Sequence, residues 1–178
     1  VFDLDPDPEL PWSSMVEATS MTLDLLEGLG LRAFLKTSGG RGMHVVVPID
    51  RRQGWDCVNE FARGVTTRLA ADAPEKIVAK MGPKNRVGKI FVDYLRNQRG
   101  ASTVAAYSAR ARPWLPVSVP ITRNELAKLE GADQWNILNV QERLQEQTAD
   151  PWSDYGATRQ TITARLLKTL DVTTSNDR

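Results

Sequence analysis

Long hydrophobic runs, cysteine and histidine are what this 178-residue sequence has least of. No apolar stretch approaches the about 20 residues that a membrane-spanning helix needs, and no basic start leads into an apolar secretion segment. The expectation is a cytoplasmic chain with no membrane partner. One cysteine, Cys57, excludes an internal disulfide, and one histidine, His44, excludes zinc centres built from several Cys and His ligands. A Ser-His-Asp triad would have to use His44. What is present is an ordinary globular mixture, 41% hydrophobic and 25% charged, long enough to bury one core and too apolar to be mainly disordered.

The net charge of +1 conceals a strong asymmetry. Residues 1 to 31 hold seven acids and no Lys or Arg, whereas residues 76 to 123 hold ten bases and the single acid Asp93. Solvated faces usually mix signs to limit repulsion, so a basic segment of this length points to a polyanionic partner. The competing expectation is that these bases meet the acidic first segment across the fold.

Periodicity divides the chain into alternating elements. Val1 to Asp5 alternates as a strand, stopped by Pro6 and Pro8, which cannot donate to a sheet ladder. Met15, Ala18, Thr22, Leu25, Leu26 and Leu29 recur at helical spacing before Gly30. Strands are expected over 32–37 and 43–49, joined by Ser38-Gly39-Gly40-Arg41-Gly42. The stripe Trp55, Val58, Ala62, Val65, Leu69 marks a second helix with that stripe in the core. A basic connection over 76–89 leads to a strand over 90–95, and 117–121 reads as an edge strand. Short helices near 122–129 and 139–147 and a longer one near 158–170 complete a single module over 1–170. Residues 171–178 are expected to be a disordered tail. The fold class is α/β (α+β), a sheet with helices on one face.

Asp3 and Asp5, two apart on a strand, leave the same face roughly 7 Å apart and can converge on a cation. Asp-Pro-Asp-Pro also obeys the rules of turns, so spacing alone leaves both readings open. Asp93, in the apolar strand Ile90-Phe91-Val92-Asp93-Tyr94, needs a metal or an arginine as partner. Three hard oxygen ligands suit Mg or Mn. Asp7, nearer the prolines, reads as a solvated or capping residue. In the loop Ser38, Gly39, Gly40, Arg41, Gly42, backbone N–H groups can point at an anion, with a hydroxyl from Ser38 and charge from Arg41. Hairpin turns require such glycines too, and the spacing is not that of a Walker A loop. His44 could face the anion or the core. Arg96, Arg99, Arg110 and Arg112 carry guanidiniums suited to bidentate phosphate contacts. Carboxylates for metals with arginines for phosphates describe a metal-dependent nucleotidyl site.

Four ordered stretches then resemble a known family: Phe2-Asp3-Leu4-Asp5-Pro6, Lys36 through His44, Val92 through Asn97, and Tyr107 through Pro113. Together they are similar to the polymerase domain of bacterial ligase D, of the archaeo-eukaryotic primase superfamily, which acts in non-homologous end joining. The resemblance implies an RRM-like, mostly antiparallel sheet with core motifs over 1–121 and a helical part over 122–170. It implies two divalent cations, Mn or Mg, with Asp3 and Asp5 on both and Asp93 on the catalytic one. Ser38, Arg41 and His44, with the Gly39-Gly40 turn, would hold the triphosphate, and Arg96 and Arg110 would complete the pocket. The implied partners are a nucleoside triphosphate, primer-template or broken-end DNA, and the ligase and nuclease domains or end-binding protein of the pathway. The implied activity adds ribonucleotides to primer 3′ ends in the bacterial cytoplasm, at the nucleoid. The family carries an N-terminal lobe before its Asp-x-Asp strand, and templated extension is expected to need it.

Two other functions use parts of the same pattern. A two-metal nuclease would share the carboxylates, but the serine-glycine loop and clustered arginines suit a triphosphate better than a diester. A non-catalytic nucleic-acid-binding module would place aromatics on strand faces, yet Phe34, Phe91 and Tyr94 make no paired signature.

Overall fold

The computed structural model describes residues 1–172. Its centre is a six-stranded sheet made of β1 (Phe2–Pro6), β2 (Phe34–Thr37), β3 (Met43–Val46), β4 (Ile77–Val78), β5 (Ile90–Asp93) and β6 (Pro120–Ile121), in the order β4-β5-β1-β3-β2-β6. β4 and β5 run parallel and every other pairing is antiparallel. The expected mixed, mostly antiparallel sheet is therefore the observed one. β1, the first strand in the chain, is inserted at its centre.

Strand alternation gives the sheet two unlike faces. Phe2, Leu4, Met43, Val45, Leu35 and Val92 are fully or almost fully buried and form one face. Against it lie α1 (Trp12–Gly28), through Met15, Ala18, Leu23 and Leu26, and α2 (Trp55–Asp72), through Phe61, Ala62, Val65 and Leu69. Gly30, at φ 76°, lets the chain leave α1, and Leu31 N–H donates to Leu26 O at 2.9 Å. Trp55 departs from the expected stripe: it begins α2 at the rim and is 55% exposed.

The tail follows the expected order with shorter helices: α3 (Arg123–Leu126), α4 (Val140–Glu146) and α5 (Ala164–Thr169). The longer helix expected over 158–170 is one and a half turns, because residues before Thr163 spend their hydrogen bonds elsewhere. Gln160 bonds the backbone of Arg32 through both side-chain atoms, and Thr163 caps α5 through Leu166 N–H. The expected strand over 117–121 pairs with β2 only at Pro120 and Ile121, and β4 lies inside the stretch read as a connection. Gly64, in mid α2, makes room for Leu170 and Val172, since a Cβ there would sit 2.5 Å from Val172 Cγ2. Positions 173–178, most of the expected tail, lie outside the described residues. Among the described residues no helix is long and apolar enough to cross a membrane.

Candidate active site

The second face of the sheet carries the chemistry, and strand register puts it there. Asp3 is paired with His44 on one side and Asp93 on the other, and His44 with Lys36. Directly opposed residues share a face, so Asp93, Asp3, His44 and Lys36 form one row across β5, β1, β3 and β2. Asp5 stands on the same face, one pleat along.

The row is internally satisfied. His44 Nε2 lies 3.3 Å from Asp3 Oδ1, and Lys36 Nζ lies 2.8 Å from His44 Nδ1 and 2.9 Å from Ser118 Oγ. Arg96 Nε reaches Asp93 Oδ2 at 3.2 Å and Asp3 Oδ2 at 3.8 Å, while Leu95 N–H donates to Asp93 Oδ1 at 2.8 Å. Asn97 ties β1 to the end of β5 by donating to the carbonyls of Val1 and Tyr94. Burial pushes the Asp5 carboxyl up to about 6, helped by the neighbouring Asp3 charge. Burial would also raise Asp3, but the His44 hydrogen bond and the charges of His44, Arg96 and Lys36 hold it below the ordinary carboxylate value. Burial pushes Lys36 down to about 8 and His44 below its usual value.

In front of the row opens a polar cleft of about 290 Å³. Asp3, Asp5 and Ser38 lie on its floor with Arg41, Arg86, Arg96, Arg110 and Arg112 around them. Of the residues singled out by sequence, His44 and Asp93 stand behind this lining and touch it through Asp3 and Arg96. A larger cavity of about 490 Å³, beside Val47, Trp55 and Val58, is mainly apolar and holds none of the candidate residues.

Three N–H groups of the glycine loop are bonded within the protein. Ser38 N–H donates to Gly42 O, Gly39 N–H to Ala132 O and Gly42 N–H to Ser38 Oγ, so these groups are used inside the protein. The glycines instead permit close approach. A Cβ at Gly42 would stand 2.2 Å from Leu4 O, and one at Gly40 would stand 3.2 Å from an Arg112 nitrogen and 3.3 Å from one of Arg110. Arg110 also donates to Ser38 O at 3.2 Å. The side chains of Arg41, Arg110 and Arg112 bring positive charge to the same place.

Both expectations for the charge asymmetry have a place. Lys76 pairs with Glu17 at 2.5 Å, and Arg123 pairs with Asp24 and Glu27, so the ends of the basic segment meet α1. From its middle, Arg86, Arg96, Arg110 and Arg112 line the cleft, while Arg99 does not and Lys89 donates to Pro74 O. Arg86 was not legible as a site residue because an irregular loop carries it. Asp7 fixes that loop by accepting from Gly88 N–H at 2.5 Å, and Asp7 N–H donates to Lys89 O. Lys36, likewise missed, had one signal: a charge inside the strand Phe34-Leu35-Lys36-Thr37 must find partners. Phe34 does not offer a base-stacking surface, being packed edge-on against Trp152 and Tyr155.

Hard carboxylate oxygens are the right donors for Mg or Mn. As the side chains stand, with Arg96 drawn onto Asp3 and Asp93, no three His, Cys, Asp or Glu side chains among the described residues are gathered closely enough to hold a metal ion.

Comparison with known proteins bears on the family and the fold. The family described as LigD, primase-polymerase domain, matches residues 1–152. The chain is 61% identical over 171 residues to the multifunctional non-homologous end joining protein LigD of Pseudomonas aeruginosa, covering 96% of this chain and 20% of that protein. It is 35% identical over 126 residues to the Mycobacterium tuberculosis H37Rv protein described as LigD, covering 71% and 17%. The chain thus spans about a fifth of the length of these relatives. A solved polymerase domain of Mycobacterium tuberculosis ligase D, in complex with DNA, superposes with a TM-score of 0.80 at 30% identity, over 88% of this chain and 54% of that one.

Proposed function

Since this chain belongs to the family of LigD primase-polymerase domains, we propose that it transfers nucleotides from a nucleoside triphosphate to the 3′ end of a DNA primer during non-homologous end joining. The observation that carries the reading is the cleft, which brings Asp3, Asp5 and Ser38 together with five arginines in about 290 Å³. Such a cavity suits a compact polyanion. A nuclease site would gain little from so many cations around one diester.

The reaction is an in-line displacement in which the primer hydroxyl attacks the α-phosphorus and pyrophosphate leaves. Asp3, Asp5 and Asp93 would hold two divalent cations, Mn or Mg, which when bound neutralise phosphate charge and favour ionisation of the attacking hydroxyl. Arg41, Arg86, Arg110 and Arg112 orient the triphosphate and stabilise charge on the leaving group. Ser38 offers its hydroxyl beside Arg41 and Arg110. Arg96, which lies against Asp3 and Asp93 here, would serve a phosphate oxygen where those carboxylates hold cations. His44 supports Asp3 from behind.

Ribonucleotides as the substrate rest on the family likeness alone. So do operation at the nucleoid and work beside ligase and nuclease domains or an end-binding protein. The test is thermal unfolding of this chain with Mn and a nucleoside triphosphate, which stabilise only a protein that binds them, together with transfer of a labelled nucleotide to a primer. Protection and transfer are expected in the parent and lost in Asp3→Asn. Absence of both from the parent overturns the reading.

A further inference from the structure

The turn over 110–116 does two things, and the proposed triphosphate contacts use only one. Its first half sends Arg110 and Arg112 into the cleft beside Gly40. Its second half holds Trp114 out to solvent at 79% exposure. Trp114 and Leu115 both have left-handed backbone, φ 68° and 47°, which costs bulky side chains free energy and persists only where the surroundings impose it. The surroundings do so here. Arg110 N–H donates to Pro116 O at 2.8 Å, Leu115 N–H to Arg112 O at 2.9 Å, and Ile137 N–H to Leu115 O at 3.3 Å. The ring is therefore displayed by a pinned backbone. The ring–cation stacks found among the described residues are Arg32 on Phe34 and Arg143 on Trp135, so Trp114 keeps its π-faces for an external partner.

We propose that Trp114 is a stacking platform for an unpaired base of single-stranded DNA whose phosphates lie along Arg112 and the mouth of the cleft. Charge selects this occupant. In the turn itself Arg110 and Arg112 precede the ring, both in the cleft lining, and no acid occurs from Tyr94 to Asn124. A protein-docking core is depleted of charge, whereas stacking aromatics set among cations are how single strands are held without sequence readout. The proposal deepens the nucleotidyl-transfer reading, because it places an unpaired strand next to the cleft that would hold the triphosphate.

The test is fluorescence anisotropy of a short labelled oligothymidylate across a salt series, with parent, Trp114→Ala, Trp114→Phe, Trp114→Leu and Arg112→Ala. Trp114→Ala should weaken single-strand binding about 5- to 150-fold, the loss of one base stack. Phe should restore most of it and Leu, apolar but without a π-face, should not. Trp114→Ala should leave the dependence of log K on log salt unchanged, while Arg112→Ala should reduce that slope by about one. Equal affinity in parent and Trp114→Ala, or full rescue by Leu, overturns the proposal and assigns the ring to a protein contact. Protection by Mn and triphosphate, measured in parallel, should be the same in Trp114→Ala and parent. If the parent shows no such protection while Trp114→Ala still loses single-strand binding, nucleotidyl transfer fails and the stacking platform stands.

Discussion

Lys36 fixes the tautomer of His44. Its ammonium can only donate, and it lies 2.8 Å from Nδ1, so that nitrogen is the acceptor and the neutral ring carries its proton on Nε2, facing Asp3. A buried lysine that arranges a histidine, which in turn supports a carboxylate, is a positioning residue.

Lys36→Met keeps the length of the side chain and removes the donor. Ser118 retains its bond to Thr37 O at 2.6 Å and His44 its contact with Thr103 at 3.1 Å, so no buried partner is orphaned. Triphosphate binding is expected to weaken about tenfold, the worth of one hydrogen bond to a charged group, with folding stability at neutral pH undiminished. The parent should also grow more stable as pH rises from about 8 towards 10.5, because the unfolded chain holds the lysine proton longer than the folded one. Urea titration across that window should show the slope in the parent and its loss in Lys36→Met. A marked loss of stability on substitution would make Lys36 a structural residue instead.

Asp5 titrates in the opposite sense. Its folded value, about 6, lies above the ordinary 3.8, so its contribution to stability is present below 3.8 and is lost as pH rises through about 6. In the metal-free chain, Asp5→Asn should be more stable than the parent by about 1 kcal/mol near neutral pH, after allowance for solvent screening, with the difference closing on acidification. Chemical denaturation at both ends of the range decides. A gap that widens in acid would assign the raised carboxyl to another residue.

Asp3→Asn and Asp93→Asn should each lower nucleotide transfer about 100-fold or more while retaining the far-ultraviolet spectrum of the parent. Full activity in either removes that residue from the reacting centre.

Arg86→Ala and Arg110→Ala should each weaken triphosphate binding by about 1.5–3 kcal/mol with little effect on binding of duplex DNA. Calorimetric titration with each ligand separates the cases. Equal losses for both ligands would make the arginines part of a DNA groove.

Gly42→Ala brings a methyl against the Leu4 carbonyl, where only 2.2 Å is available, so β1 or the loop must move. The expected cost is about 1–3 kcal/mol of stability, with lost transfer activity because Asp3 and Asp5 move with the strand. A variant with parental melting temperature would show that the loop relaxes freely.

Much of this site could be read before any coordinates. Asp3, Asp5 and Asp93 interrupt apolar strands at period two, and that alternation settles which face they occupy once pairing is known. Arg86 and Lys36 were invisible for different reasons. Arg86 reaches the cleft because Asp7 pins Gly88, a contact between distant and irregular segments that no local pattern encodes. Lys36 sits in a strand where only the register with His44 and the arrival of Ser118 give its charge a purpose. The two-residue strand β4 and the exposure of Trp55 escaped similarly, since short edges and helix ends are decided by neighbours more than by propensity.

The central position of β1 has a consequence for how the molecule comes into being. Its neighbours in space, β3 and β5, lie about 40 and 90 residues downstream, so the sheet cannot close around Asp3 until those distant segments have met it. The four-residue row across the sheet thus exists only where contacts far apart in sequence have closed. A nascent or half-folded chain has no chemistry to misapply. A one-residue slip of β1 against its neighbours would turn both aspartates toward α1 and α2, so competence and correct folding are tested by the same event.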